Sequence, residues 1–276
     1  MSVRGGRWLL VLCILAWTPS CRSVGKTLGN LLVPVDQEVA MGNQYAAELD
    51  KELKELNDPT VQRYVEEIGQ KIVSVCDRQD IEYHFTVIDD PKTVNAFAVP
   101  GGHLYVYTGL LLAAENESEV AGVMGHEVGH VVARHSANQM AQAMVASAGV
   151  SAVQSALSSG DESTDWVAMA GGVLSNVAAQ GYLLKYGRDD ETESDALAVE
   201  YTIATGYDPN GMATFLEKLY ELSGGQDPSG FEAILASHPP TLGRVEHVRE
   251  LIAEAGNPGG YVGREEHEKI KARLRR

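Results

Sequence analysis

Cysteine is scarce in this sequence, with three residues in a chain of 276. Cys13 lies within an apolar N-terminal run and Cys21 closely follows it, which leaves only Cys76 in the remainder of the chain. So few cysteines exclude a disulfide scaffold, and the sequence has no cysteine cluster of the kind found in metal-storage proteins. The stability of the protein must therefore come from a hydrophobic core or from a bound metal.

Basic residues are also few. The chain has 22 Lys and Arg against 38 Asp and Glu, which gives a formal net charge of -16. Because nucleic-acid binding requires a basic face, this balance argues against DNA or RNA as a partner. The hydrophobic content of 44% is nevertheless sufficient for a sizeable core.

One continuous apolar run, "WLLVLCILAW" at 8–17, stands near the N-terminus after Arg4 and Arg7. The run is too short to span a bilayer as a mature helix. A basic start, a short apolar stretch and small residues after it are typical of a secretory signal. We therefore predict that residues 1–20 are a signal peptide.

The end of this segment, "TPSC", resembles a bacterial lipoprotein signal, in which the cysteine is acylated and becomes the new N-terminus. The resemblance implies that Cys21 carries lipid and that residues 21–35 form a tether. It also implies a periplasmic protein anchored to the outer membrane of a Gram-negative-type bacterium. Thr18 and Pro19 depart from the usual pattern, and an ordinary secretory signal cut near Cys21 is the alternative.

The rest of the chain is predicted to be mostly helical. Apolar spacing and capping residues predict helices at 36–56, 59–76, 116–135, 189–206, 210–222, 241–255 and 264–275. Alternating apolar residues predict strands at 83–88 and on either side of the turn at 100–102. Residues 137–186 are rich in small side chains and are interpreted as two helices joined by a mobile loop. The fold class is therefore α+β, mostly α, with one domain over 36–276.

The segment "HEVGH" at 126–130 places two histidines four residues apart on the predicted helix 116–135. Side chains at this spacing lie on one face, so His126 and His130 can bind one metal ion. Glu127 is badly placed to join them but can accept a proton from a water on the metal. Such a motif arises by chance in roughly one chain per hundred, so a third ligand is needed to support it.

A histidine ligand six residues after His130 would complete a metzincin pattern, with glycine at the third residue. Ala133 and Ser136 stand at those two positions and exclude it. His135 is expected to point elsewhere and to have a structural or surface role. The remaining source is a later acidic helix.

That helix begins with "RDDETESDA" at 188–196. Glu191 there can bind the metal while Asp195, one turn on, hydrogen-bonds a ligand histidine. The same residues are equally compatible with a solvated acidic helix face, since Asp189, Asp190 and Glu193 accompany them.

Four segments in this order, "NAFAVPGG", "HEVGH", "RDDETESDA" and "SHPPTLGRVEHV", resemble the M48 family of zinc metallopeptidases in its bacterial periplasmic lipoprotein form. The resemblance covers about residues 36–255. It implies a zincin-like (gluzincin) metallopeptidase fold with a small β-sheet and an active-site helix. It also implies one Zn²⁺ per chain held by His126, His130 and Glu191. Ser194 and Gly187 depart from the usual motif.

The same resemblance assigns Asn95, Ala96 and Phe97 to an exposed edge strand that holds substrate as an added β-strand. It also gives His238, in "SHPP", one of two opposite functions. His238 either donates a hydrogen bond to the oxyanion during catalysis or occupies the open zinc position as a latch. The latch is favoured because the two prolines stiffen the loop, while Gly224, Gly225 and Gly230 supply hinges.

Arg244 is expected to anchor the His238 loop by an ion pair with the acidic helix at 189–195. Tyr182 and Tyr186 are weaker candidates for oxyanion donors.

The sequence therefore predicts a zinc endopeptidase that acts on unfolded or misassembled cell-envelope proteins. The substrate class is implied by the resemblance, whereas the residues themselves indicate only peptide-bond hydrolysis. The alternative is an envelope chaperone or assembly factor that keeps the zinc fold and rarely cleaves. The natural substrate and the oligomeric state stay open.

Overall fold

The structure is a computed structural model that describes residues 33–142, 186–224 and 229–276. The predicted signal peptide, Cys21, most of the predicted tether and Tyr182 lie outside the described residues. So does most of the predicted helix pair at 137–186, of which only residues 137–142 and Tyr186 are described.

The described residues form a mostly helical fold around a small sheet, as predicted. The helices are α1 (Val35–Glu52), α2 (Pro59–Val73), α3 (Thr108–Ala113), α4 (Glu117–Val132), α5 (Arg188–Ala204), α6 (Asn210–Ser223), α7 (Glu232–Ser237), α8 (Leu242–Glu254) and α9 (Arg264–Leu274). The strands are β1 (His84–Ile88), β2 (Ala96–Val99) and β3 (His103–Tyr107), with a 3₁₀ turn at Pro100–Gly102. Residues 135–142 are also helical. No helix among those described combines the length and apolar character that crossing a membrane requires.

The sheet has the strand order β1-β3-β2. β3 lies in the middle, where Tyr105 pairs with Thr86 of the parallel strand β1 and with Phe97 of the antiparallel strand β2. β2 is therefore an edge strand of this sheet. One face of the sheet packs on the main core, which includes α2 and α4, and the other packs on α1.

Local capping signals define several helix ends. Asp58 accepts hydrogen bonds from the backbone N–H groups of Thr60 and Val61 at the start of α2. Asn116 accepts the N–H of Glu119 at the start of α4. Gly206, with a φ of 79°, follows the end of α5 in the left-handed region that glycine adopts most easily.

The central helix α4 is buried along almost its whole length. Glycines allow its close approach to the neighbouring helices: a Cβ at Gly122 would lie 2.8 Å from the Cα of Met212 on α6, and one at Gly129 would lie 3.2 Å from the Cα of Ser194 on α5. This tight packing fixes the position of α4 relative to α5 and α6.

The structure corrects the predicted bounds where long-range contacts intervene. α1 ends four residues early because the following segment pairs with β1, with Leu56 N–H donating to the carbonyl of Val87. α4 ends at Val132, since Arg134 turns the chain with a φ of 57°. Val33, assigned to the tether, is buried in the core beside α1. The short helix α7 was not predicted.

Candidate metal centre

The first two site residues project from one face of α4. His126 and His130 are both buried, and their Nε2 atoms lie 3.0 Å apart. The spacing of one helical turn brings both rings to a common point, as the sequence predicted from "HEVGH".

α5 brings the Glu191 carboxylate to the same point. Its Oε1 lies 3.4 Å from His130 Nε2, and its Oε2 lies 3.6 Å from His126 Nε2. Glu191 is buried, whereas the neighbouring Asp189 is exposed. The acidic residues in the first turn of α5 are therefore not all solvated, and the Glu191 side chain points toward His126 and His130.

His238, which follows α7, completes the cluster. Its Nδ1 lies 3.0 Å from Glu191 Oε1 and 3.3 Å from His126 Nε2, and its Nε2 lies 3.4 Å from Glu127 Oε1. The buried His238 ring thus stands between Glu127 and the other three side chains.

The geometry of this cluster fits a zinc ion. His126, His130, Glu191 and His238 each offer one ligand atom, and these atoms lie within 4.8 Å of one another. Ligands about 2.0–2.1 Å from a tetrahedral zinc are separated by roughly 3.3 Å. The measured separations of 3.0 to 3.6 Å between the paired atoms agree with this value. Three imidazoles and a carboxylate are also ligands that zinc prefers.

A buried ion-pair network orients these side chains. Asp195 Oδ1 lies 2.9 Å from His126 Nδ1, on the side of the ring that faces away from the cluster. Arg244 of α8 donates to both oxygens of Asp195 at 2.7 Å, and its Nη1 lies 2.6 Å from Glu191 Oε2. The same Nη1 donates to the carbonyl of Pro239 at 3.1 Å. One guanidinium therefore contacts α5 and the His238 loop.

Burial and charge shift the site pKa values in different directions. Burial raises the pKa of the Glu127 carboxyl, although His238 and His126 oppose the shift. Burial also lowers the pKa of His130 well below its usual value. For Glu191, burial by itself would raise the pKa, but the charge of His238 and hydrogen bonds from His130 and His238 outweigh burial and lower it. Glu191 is therefore ionised and His130 neutral, which are the states that bind metal.

The edge strand β2 lies directly against this site. Tyr107 N–H donates to the carbonyl of Asn95, so alternate residues of β2 face β3, and the backbone groups of Ala96 and Ala98 point the other way. Ala98 N–H donates to Glu127 Oε2 at 3.1 Å. The outward backbone groups thus belong to Ala96 and Ala98 rather than to Asn95 and Phe97.

The expectation that this strand is exposed was wrong. Asn95, Ala96, Phe97, Ala98 and Val99 are all buried. The reason is that β2 belongs to a sheet packed between α1 and α4, a long-range arrangement that the local sequence does not report.

The loop that carries His238 is tied down upstream. The carbonyl of Gly230 accepts the N–H of Val94 at 2.6 Å, and a Cβ at Gly230 would lie 2.5 Å from the carbonyl oxygen of Lys92. Gly230 is therefore a packing contact and not a free hinge, contrary to the prediction. Gly225 lies outside the described residues.

Besides the cluster histidines His126 and His238, the rings of His135 and Tyr186 contact His130. His135 is not one of the four cluster residues, and it is buried with its Nδ1 2.8 Å from His130 Nδ1, so of the two predicted alternatives the structural role fits and the surface role does not. Tyr186 stacks on the His130 ring with centroids 3.8 Å apart, and its hydroxyl is 2.9 Å from Ser136 Oγ. Tyr186, whose hydroxyl is bonded to Ser136, therefore supports the His130 ring by stacking.

An apolar cavity beside Glu127 and His238 was not predicted. It is lined mainly by side chains of α4, α6 and α7: Val123, Met212, Phe215, Leu216, Leu219 and Ile234. The sequence predicted this helix, but only the packing of α6 against α4 places its apolar side chains next to Glu127.

Comparison with known proteins identifies the family. The model of peptidase family M48 matches residues 59–252, which include all four side chains of the metal cluster. The chain belongs to peptidase family M48.

Similar M48 proteins come from bacteria and mitochondria. The chain is 31% identical over 212 residues to the beta-barrel assembly-enhancing protease of Escherichia coli K12, covering 70% of this chain and 39% of that protein. It is 32% identical over 216 residues to metalloprotease YcaL of the same strain, covering 78% and 76%. It is 30% identical over 192 residues to mitochondrial metalloendopeptidase OMA1 of Schizosaccharomyces pombe, covering 70% and 53%.

The resemblance to family M48 drawn from the four sequence segments is thus confirmed. The chain spans about two fifths of the length of the beta-barrel assembly-enhancing protease.

Proposed function

We propose that the chain is a zinc endopeptidase in which His126, His130 and Glu191 hold the metal and Glu127 is the general base. The observation that carries this proposal is the convergence of three buried ligand side chains on one point, with Glu127 beside them. Zinc, when bound there, supplies Lewis-acid activation of water and of the peptide carbonyl. A closed structural site needs no carboxylate in the position of Glu127.

Glu127 performs the proton transfers. Its carboxylate accepts a proton from the attacking water and returns it to the leaving amine. Because burial raises its pKa, the carboxyl is a better proton acceptor at neutral pH than an exposed glutamate. Asp195 and Arg244 maintain this arrangement by holding His126 and Glu191 in position.

Substrate binds as an extended strand beside β2. The outward backbone groups of Ala96 and Ala98 are buried in the latched state; once they are uncovered, main-chain hydrogen bonds to them would bind a peptide independently of its sequence, which suits unfolded chains. The N–H of Ala98 is already bonded to Glu127, so an incoming peptide competes for this donor. Asn95 and Phe97 support the strand through β3.

His238 acts as a latch in this proposal. Its ring lies between Glu127 and the other three ligand side chains, where the attacking water would have to lie. This position supports the latch over an oxyanion donor, which would leave that space open. The protein is then latent until His238 moves.

The substrates we propose are unfolded or misassembled proteins of the cell envelope. The support comes from the name of the beta-barrel assembly-enhancing protease, a relative from a Gram-negative bacterium. Lipidation of Cys21 and anchoring to the outer membrane on its periplasmic side belong to the same proposal, and their support is the signal-like N-terminal sequence.

The decisive experiment compares the wild type with Glu127→Gln on unfolded casein, with and without a zinc chelator. Loss of a general base lowers the rate by about a hundredfold to ten-thousandfold while zinc content stays unchanged. Glu48, an exposed glutamate paired with Lys51, supplies the matched control: Glu48→Gln should cleave like the wild type. Equal cleavage by wild type and Glu127→Gln would contradict the proposal. No cleavage even by the unlatched His238→Ala protein would favour the chaperone or assembly-factor alternative.

A further inference from the structure

Each of the two histidines on α4 has a partner at the ring nitrogen that faces away from the cluster. For His126 that partner is Asp195, a carboxylate. For His130 it is a second imidazole, because His135 Nδ1 lies 2.8 Å from His130 Nδ1. Such partners select the tautomer of a metal-binding histidine and fix the direction of its ring.

A break in the helix brings His135 to this place. On a continuous α-helix a residue five positions after His130 points roughly 140° away from it. α4 ends at Val132, and Arg134 adopts a φ of 57° before the chain becomes helical again at 135. Arg134 is held in this turn by hydrogen bonds to Glu38 at 2.8 Å and to the carbonyl of Val33 at 2.5 Å. His135 therefore turns back under His130.

The surroundings of His135 determine which nitrogen carries its proton. Its Nε2 faces two carboxylates, Asp190 Oδ1 at 3.5 Å and Glu193 Oε2 at 3.6 Å. Its Nδ1 faces His130 Nδ1, with Ser194 Oγ further away at 3.4 Å. Neither carboxylate forms a hydrogen bond with Nε2, but their negative charge favours a proton there, which leaves Nδ1 of His135 as an acceptor.

The same reasoning applies to His130. Its Nε2 points into the metal cluster and must be unprotonated to bind an ion, so its proton is on Nδ1. That N–H is directed at the acceptor nitrogen of His135. The two assignments are therefore compatible. His135 carries its proton on Nε2, near the carboxylates, and accepts the Nδ1–H of His130, whose Nε2 is free to bind the metal.

We propose that His135 is a positioning residue, which accepts the Nδ1–H of His130 and holds that ring in the tautomer and orientation required to bind zinc. The inference rests on the proposed function, since it takes His130 to be a zinc ligand. It differs from a packing role in one respect: it requires an acceptor at the position of Nδ1.

This requirement permits a matched pair of variants. In His135→Asn the amide oxygen can take the position of Nδ1, whereas in His135→Gln the longer side chain places its oxygen near the position of Nε2. Both carry the same amide group. A third variant, His135→Leu, removes the acceptor and keeps an apolar side chain. Ser194→Ala removes the more distant hydroxyl and leaves both histidines, so it serves as the control.

The measurement is zinc affinity, by competition with a chromophoric chelator, on the full chain. We expect His135→Gln and His135→Leu to bind zinc about 10- to 100-fold more weakly than the wild type. We expect His135→Asn and Ser194→Ala to bind within a few-fold of it. Nitrogen-15 spectra of histidine-labelled protein should show the Nδ1–H tautomer of His130 in the wild type and in His135→Asn. This signature should be lost in His135→Gln.

The outcomes separate this inference from the proposed function. Equal zinc affinities for the Asn and Gln variants, or wild-type affinity in His135→Leu, would overturn the role of His135 alone. A wild-type protein that binds no zinc would overturn both. If His135→Leu does not fold, the Asn and Gln pair still decides the matter, because these two variants differ by one methylene.

Discussion

Replacing His238 by alanine is the sharpest test of the latent state. The change removes the imidazole that lies between Glu127 and the cluster of His126, His130 and Glu191. It leaves the three other ligand side chains in place. If His238 is a latch, the variant should cleave unfolded protein faster than the wild type.

The size of the increase follows from what the latch must break in order to open. With zinc bound, the Nδ1 of His238 would face the metal and could not donate to Glu191, 3.0 Å away, so opening the latch would exchange an imidazole on the metal for a water. We take the net free-energy difference of this exchange to be similar to that of a hydrogen bond to a charged group, about 1.5–3 kcal/mol. Since 1.4 kcal/mol is a factor of ten, the closed state is favoured by roughly 10- to 100-fold, and the variant should gain activity by a similar factor.

The assay compares initial rates of casein cleavage for wild type and His238→Ala at matched zinc occupancy. His84→Ala is the control, because His84 is half exposed at the start of β1 and does not contact the cluster. Adding Glu127→Gln to the His238→Ala protein should abolish the gained activity, which shows that it comes from the same site.

Two results would refute this reasoning. A loss of rate by about tenfold or more in His238→Ala, with zinc retained, would make His238 an oxyanion donor. An unchanged rate would remove His238 from both functions, since the proposed latch and the proposed donor each require a change.

Three further predictions test other parts of the chain. Burial lowers the pKa of His267 from 6.5 to about 4, so the stability it contributes is complete above pH 6.5 and falls by roughly 3 kcal/mol as the pH drops to 4. Urea unfolding measured between pH 6.5 and 4 should therefore show a smaller loss of unfolding free energy for His267→Gln than for the wild type. An equal loss in the two proteins would contradict this. Glu38→Gln should lower the unfolding free energy by about 3 kcal/mol, because Arg78 loses its buried counter-charge. Lys51→Gln, which breaks an exposed ion pair, should lower it by less than about 1 kcal/mol. Equal losses in the two variants would contradict this. Cys21→Ser should abolish incorporation of radiolabelled fatty acid, and unchanged labelling, or none in the wild type, would refute lipidation.

The parts of the site that the sequence predicted are those set by local geometry. The turn-by-turn spacing of His126 and His130 requires only a helix, and Asn116 marks where that helix begins. Asp58 and Gly206 define helix ends in the same way, through backbone groups a few residues away. Glu191 needed the family resemblance, because the acidic residues around it are equally consistent with a solvated surface.

The parts that the sequence did not predict depend on contacts between distant segments. The left-handed turn at Arg134 is stabilised by Glu38, 96 residues earlier, and without that turn His135 would not reach His130. The burial of β2 depends on how the sheet packs between α1 and α4, which no single strand pattern reports. Prediction failed here because the periodicity of one segment carries no information about its partners.

The contacts of Arg244 limit how the latch can open. This buried guanidinium joins Asp195, Glu191 and the carbonyl of Pro239, the residue directly after His238. Separating a buried arginine from its carboxylates costs about 3–5 kcal/mol, which exceeds the roughly 1.5–3 kcal/mol taken above to hold the His238 ring. Gly230, upstream, is packed against the carbonyl of Lys92. We therefore expect opening to be a local movement of His238 rather than a swing of the whole loop. A peptide that takes the Ala98 N–H from Glu127 would approach the ring from the β2 side, so substrate binding and release of the latch would occur at the same place.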